Sequence, residues 1–475
     1  MALFLAGDSR RYTTNFRRKA LSGVFMFQVK WIVLALAIIM YALVIIFQDK
    51  KVWFTSAAAI IIVALGIILP DSVFPLSDAA RAAGGASARF YALGHSVGEI
   101  INWNVIMIYL GSMTIAALFI YSKVPARIAD GIVNSSRNTG LAMIAILAMT
   151  GIISIFVENV ATVLVMAPIA LALCKKLKMN PTNFMIGLAV MSNLEGTATL
   201  VGDPPSMIFA AYANYNFNDF FFYQGKFSIF WIIQSGLLCG CIFFYFYFAR
   251  KAKAKIDVEK TDVVSWFPFV LLLTMIFGLA AVSFIQTDFA YLSGSYVLVL
   301  GIIGLVWYGL KQKKSRQEIT QLVKELDWET IFFLFGIFVV VGAIQETGLL
   351  NDFALFLAGV TGGSKLLAFI IILVVSIVIS GFVDNVPYII AMLPVAGGMA
   401  ESMGINKELL MFALLVGSCL GGNLTPFGAS ANVVSMGIVK KEGYPMKFSG
   451  WLKVGAPFTV LTTATAAIVL WLIWA

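Results

Sequence analysis

Charge is scarce in this sequence. Only 12% of its 475 residues are Asp, Glu, Lys or Arg while 60% are apolar, which excludes a water-soluble globular domain, where about a quarter of the residues are charged. Histidine occurs once, as His95, so no multi-histidine metal centre or relay is available. The four cysteines, Cys174, Cys239, Cys241 and Cys419, show neither paired nor metal-ligand spacing, and they read as core residues. No GxxxxGK[ST] occurs, which leaves ATP-driven pumping without support. No nucleophile–base pair speaks for an enzyme. A formal charge of +9 invites a nucleic-acid reading, but the basic residues fall in loops between apolar runs, where membrane topology accounts for them.

What is abundant is apolar sequence in membrane-sized lengths. About 20 residues of helix span the hydrocarbon core, and ten such crossings are expected at 31–48, 53–69, 103–121, 183–213, 228–249, 265–285, 289–309, 329–348, 408–438 and 451–474. Residues 70–102 are rich in small residues but carry Arg81, Arg89, His95 and Glu99. They read as a surface-lying connection or an eleventh crossing. The aromatic run "NDFFFYQGKF" at 218–227 reads as interfacial anchoring.

The chain repeats itself. "SNLEGTATLVGDPPS" at 192–206 aligns without a gap on "SCLGGNLTPFGASAN" at 418–432, so that Ser192, Gly196, Thr199 and Gly202 match Ser418, Gly422, Thr425 and Gly428, each 226 residues on. The same offset aligns "FVENVATVLVMAP" at 156–168 with "FVDNVPYIIAMLP" at 382–394, and an offset of 225 aligns "NWNVIMIYLG" at 102–111 with "DWETIFFLFG" at 327–336. This is an internal duplication. Apolar arms flank each acid–asparagine pair, at 140–157 and 160–174, then at 366–383 and 386–402. Irregular backbone at membrane depth must face protein or water, so both are expected to be re-entrant hairpins. Five crossings separate them, an odd number, which makes the halves an inverted-topology repeat.

Lys and Arg orient the whole. The face holding loops 49–52, 122–139, 175–182, 250–264, 310–327 and 439–453 carries 22 of the 33, which marks it as cytoplasmic. With ten crossings the basic N-terminal arm lands on the opposite face, and an extra crossing in 70–102 would return it.

The paired motifs are expected to be the unwound middles of two broken helices, where Gly196, Gly202, Pro204 and Pro205 in one half and Gly422, Pro426 and Gly428 in the other free backbone carbonyls toward a ligand. Intramembrane acids cost roughly 2.5 to 3.5 kcal/mol on insertion scales, so Glu158, Asp203 and Asp384 are candidate ion-handling groups, with structural pairing to backbone amides as the alternative. Asn159, Thr162, Asn193, Thr197, Thr199, Ser206, Asn385, Asn423, Thr425, Ser430 and Asn432 add neutral oxygens suited to Na⁺ or to substrate hydrogen bonding. Glu195 adds a titratable group if it faces the cavity. Asn159 and Asn385, placed symmetrically at the two tips, read as ligand contacts, with interhelical hydrogen-bond glue as the alternative.

These stretches resemble the ion transporter superfamily, and most closely its branch of ArsB arsenite permeases, NhaD sodium/proton antiporters and the melanosomal P protein. "NLEGTATLVGDPPS" is similar to that branch's NxGGTATxIGDPPN, and "GGNLTPFGASANVV" to its GGNxTxxGASANVV. Glu195 stands where Gly is usual, and Ser206 replaces Asn. The tips read Glu158-Asn159-Val160 and Asp384-Asn385-Val386 where the related divalent anion/sodium symporters carry Ser-Asn-Thr. The tips of those symporters build Na⁺ sites, which implies Na⁺ among the ligands at Asn159 and Asn385. The resemblance implies an all-α integral membrane protein of 10–11 transmembrane helices plus two re-entrant hairpins, elevator-type, in a prokaryotic plasma membrane. It implies a homodimer in lipid, with Na⁺ or H⁺ as coupling ions, no other cofactor and no nucleic-acid partner. The implied parts are a basic arm (1–30), scaffold helices (31–121 and 265–348), linking surface helices (122–139 and 349–363), transport parts (140–249 and 364–475) and a basic cytoplasmic loop (250–264). Two functions stay open: Na⁺(Li⁺)/H⁺ antiport, or Na⁺- or H⁺-coupled transport of a dicarboxylate- or citrate-like anion or of arsenite.

Overall fold

The computed structural model describes residues 29–47, 50–248, 258–287 and 289–475. Most of the basic N-terminal arm and part of the 250–264 loop therefore lie outside the described residues. The first helices are α1 (Val29–Ile46), α2 (Lys51–Ile68), α3 (Asp78–Ala83) and α4 (Gly85–His95), the last running into a π-turn at Ser96–Ile100. Next come α5 (Trp103–Tyr121), α6 (Val124–Ser135), α7 (Thr139–Ser154), α8 (Asn159–Lys176), α9 (Thr182–Gly196), α10 (Pro204–Ala213) and α11 (Ile229–Phe248). Then follow α12 (Phe267–Val282), α13 (Leu292–Leu310), α14 (Arg316–Lys324), α15 (Trp328–Glu346), α16 (Leu349–Val360), α17 (Lys365–Ser380), α18 (Asn385–Ser402), α19 (Lys407–Gly421), α20 (Ser430–Lys441) and α21 (Phe448–Trp474).

Among the described residues nine helices are long and apolar enough to cross a membrane, against ten expected crossings. The difference has a physical reason. The 183–213 crossing is broken into α9 and α10, and 265–285 yields only the 16 residues of α12, while the hairpin arm α8 reaches 18. Residues 70–102 form three short helical pieces, none of crossing length. The aromatic run holds the only strands among the described residues: β1 (Phe222–Tyr223) and β2 (Lys226–Phe227) pair around Gln224 and Gly225, both at positive φ, as a two-residue hairpin turn requires.

The described chain falls into two compact units. In the first, residues 29–102 and 332–353, α2 and α15 approach closely: a Cβ on Gly336 would lie 2.8 Å from the Thr55 backbone, and one on Gly342 2.4 Å from Ile100. Small residues permit such approach where the lipid offers no hydrophobic driving force. The lone histidine is held here. His95 Nδ1 lies 3.0 Å from Glu99 and Nε2 2.8 Å from Glu346, and its ring stacks on Tyr91. His95→Leu should cost about 1–3 kcal/mol through the carboxylate hydrogen bonds it removes. The expected reading is a lower thermal midpoint in detergent, and an unchanged midpoint would contradict it.

The second unit holds residues 103–331 and 354–475. Helices α9 and α19 are buried along nearly their whole lengths and form its centre. The halves interlock around them, with α20 of the second packing on α8 and α9 of the first, and α10 of the first on α18 and α19 of the second.

Candidate functional site

Each hairpin tip is built by its acid. Glu158 caps α8 by accepting the Ala161 N–H at 3.0 Å, and Asp384 caps α18 by accepting the Val386 N–H at 3.1 Å. A carboxylate satisfies the orphan N–H groups and the positive end of a helix, which is why the second arms start at Asn159 and Asn385. The buried Asn159 accepts from Ser154 Oγ at 2.9 Å through Oδ1 and from Ser192 Oγ at 3.1 Å through its backbone carbonyl.

The breaks in α9–α10 and α19–α20 share part of their bonding. Thr199 donates to the Ile155 carbonyl and Thr425 to the Gly381 carbonyl, so both partners are related by the 226-residue offset. Ser206 donates to the Thr197 carbonyl at 3.2 Å, while its repeat partner Asn432 donates to the Gly422 and Thr425 carbonyls at 2.9 and 2.8 Å. The glycines permit this crowding. A Cβ on Gly202 would sit 2.4 Å from the Gly196 carbonyl oxygen, and one on Gly428 2.6 Å from that of Gly422. Pro204 and Pro205 occupy the first turn of α10, where a missing N–H costs nothing, and Pro426 lies in the second break.

Between the breaks the two halves touch through amides. Asn193 Nδ2 donates to Asn423 Oδ1 and Asn432 Oδ1, both at 2.8 Å, and Asn423 Nδ2 donates to the Val190 carbonyl at 3.2 Å. The buried Oδ1 of Asn193 has no partner. Asp203 closes the site: its side chain stands near Asn159 and Asn385 and within electrostatic range of Glu158 and Asp384. Its repeat partner is Ala429, so this acid occurs once.

Not every expected residue joins the cluster. Thr162 and Thr197 bond to the Val157 and Asn193 carbonyls of their own segments, and Ser430 is exposed at the start of α20. Glu195 packs against Gly151 and accepts from Gln234 Nε2 of α11 at 2.7 Å, with Oε1 unpartnered. It is directed at α11, away from Asn193. Sequence reasoning overlooked Ser154 and Ser380, which bond to the tip and to the Ser418 carbonyl respectively. Their 226-residue spacing was the available signal.

Three carboxylates drawn together, Asp203 buried and Glu158 and Asp384 half-buried, need counter-charge, and amide and carbonyl oxygens surround them. Such a cluster has the chemistry to bind a cation. Residues 82–417 match the family described as CitMHS, citrate transporter. The chain belongs to this family. An uncharacterized transporter of Mycobacterium tuberculosis is 31% identical to this CitMHS chain over 392 residues, 82% of this chain and 89% of its own. The P protein of Homo sapiens is 25% identical over 451 residues, 78% of this chain and 53% of its own, in keeping with the resemblance seen in the motifs. Among solved structures, the Alcanivorax borkumensis YdaH transporter matches with a TM-score of 0.60 at 14% identity, covering 88% of this chain and 97% of its own. MtrF of Neisseria gonorrhoeae, from a class of antimetabolite efflux pumps, matches with a TM-score of 0.53 at 14% identity, covering 88% of this chain and 94% of its own. These likenesses concern the fold. The CitMHS chain is an integral membrane transporter of all-α, inverted-repeat architecture.

Proposed function

We propose that the chain is a secondary transporter exchanging Na⁺ or Li⁺ for H⁺. The observation that carries the reading is Asp203, one carboxylate set between two asparagine tips and facing two further acids. Na⁺ and H⁺ neutralise such a site in turn, which lets one site exchange them. Na⁺ would bind through the amide oxygens at Asn159 and Asn385, with carbonyls freed at the helix breaks. The transport parts (140–249 and 364–475) would move as an elevator against scaffold helices (31–121 and 265–348), through linking helices 122–139 and 349–363. The working form would be a homodimer in a prokaryotic plasma membrane, using an ion gradient and no ATP.

A second reading is favoured by the family's description as citrate transporters: cation-coupled movement of a citrate-like anion, the cations cancelling the acids. Two like charges 4 Å apart repel by about 4 kcal/mol at an effective dielectric of 20, so an anion could enter only after neutralisation. A flux panel in proteoliposomes, with Na⁺, Li⁺, citrate, a dicarboxylate and arsenite under an imposed pH gradient, separates the two. Na⁺- or Li⁺-driven proton movement without any anion supports exchange; proton movement only when citrate is present overturns it.

A further inference from the structure

A cavity of about 720 Å³ lies between α5, α8, α13 and α14, within the size range of sites that hold small ligands. It reaches from Glu318 and Glu325 at α14, a helix with no buried residue, to Glu158 at the first hairpin tip. Its walls are apolar faces of α5 and α8. Four carboxylates line it, those of Glu158, Glu318, Glu325 and Asp327, and no Lys or Arg is among the lining residues.

A second observation points to what such a space takes. The lining rings of Tyr121 and Tyr308 meet edge to face at 4.9 Å, and the Lys314 ammonium stands 5.6 and 5.9 Å from their centroids while pairing with Glu318 at 2.7 Å. Cations are attracted to ring faces and carboxylates alike. The mouth thus already holds one cation, supplied by the chain itself. Lys314, followed by the capping-box contacts of Ser315, holds the Glu318 carboxyl down at about 2, so that pair stays ionic and cancels itself. Glu325 is bonded by the Gln321 amide at 2.7 Å and Asp327 accepts from Tyr109 Oη at 3.1 Å, and neither faces a Lys or Arg among the lining residues. Low-dielectric walls lined by one sign of charge focus the field and raise local counter-ion concentration, with on-rates gaining roughly 10–10³-fold.

We propose that this cavity is the antechamber through which inorganic cations reach the first hairpin tip, with Glu325 and Asp327 selecting for positive charge. It rests on the cation-handling reading of the site but is tested without transport. Ala117→Cys places a thiol on the α5 wall of the cavity. Its modification in proteoliposomes by a cationic and by an anionic methanethiosulfonate is measured against the parent protein, whose four cysteines set the background. Both rates are normalised to those of free cysteine. The cationic reagent is expected to be favoured at least about tenfold, and Glu325→Gln with Asp327→Asn should bring the ratio close to one. Equal normalised rates, a ratio untouched by the two substitutions, or a thiol that neither reagent reaches overturns the proposal. In flux assays, Glu325→Gln alone should raise the half-saturating cation concentration several-fold and leave the maximal rate in place; a fall in maximal rate alone counts against it. Charge-selective labelling without Na⁺-driven flux would leave the antechamber standing and remove the exchange reading. Na⁺-driven flux with unselective labelling would do the reverse.

Discussion

Asp203→Asn is expected to lower ion-coupled flux by two orders of magnitude or more, with the protein still monodisperse in detergent. The amide keeps the size of the side chain beside Asn159 and Asn385, but removes an acid that the duplication does not repeat, since Ala429 occupies the matching position. Removing a buried charge also relieves its desolvation cost, so folding should survive. Wild-type flux in this variant would remove Asp203 from the site. Asp384→Asn makes a useful companion because Asn caps a helix about as well as Asp; α18 keeps its N-cap, and loss of flux there would report the missing charge.

Gly202→Ala and Gly428→Ala should each prevent recovery of folded protein. The new methyl would lie 2.4 Å from the Gly196 carbonyl oxygen in one case, and 2.6 Å from that of Gly422 and 2.9 Å from that of Gly381 in the other. These are backbone atoms, and side chains hold them in place: Ser206 donates to the Gly196 carbonyl, Asn432 to that of Gly422 and Thr425 to that of Gly381. Ordinary overpacking costs about 1–3 kcal/mol when side chains can yield, and here they cannot. Gly196→Ala differs in kind, because its methyl would meet the Asn159 side chain; the expected result is a folded protein with impaired flux. Gly437→Ala has open space around it and serves as the control. Yield and thermal midpoint rank the four, and a normally folded Gly428→Ala would show that the break can open.

The repeat at 226 residues and the helix breakers within it were legible because duplication and backbone conformation both leave marks in local sequence. They placed the tips and both breaks within a few residues. The direction of a side chain leaves no such mark. Glu195 sits inside the motif, two residues from Asn193, yet helical geometry turns it toward Gln234. That the tip acids could pair with backbone amides was legible, and they do; which amides, and so that they cap α8 and α18, depends on where a turn ends. The role of Asp203 was half visible: its motif was plain, but its reach to a tip in the opposite half depends on how the halves cross. Helix length alone is a poor guide to crossings: the hairpin arm α8 reaches 18 residues, whereas α12, within the expected crossing 265–285, has 16.

The interlocking of α20 with α8 and α9, and of α10 with α18 and α19, sets a timetable for biosynthesis. When the first half leaves the ribosome, the surface of α8 meant for α20 has about 250 residues still to wait for, a delay on the order of 10–50 s at ordinary elongation rates. The nascent first half must therefore sit in the bilayer with asparagines and broken backbone uncovered, a substrate for insertion chaperones and quality-control proteases. Neither half can mature alone. Two halves made from separate messages in one cell should rescue each other, and the order of their synthesis should not matter.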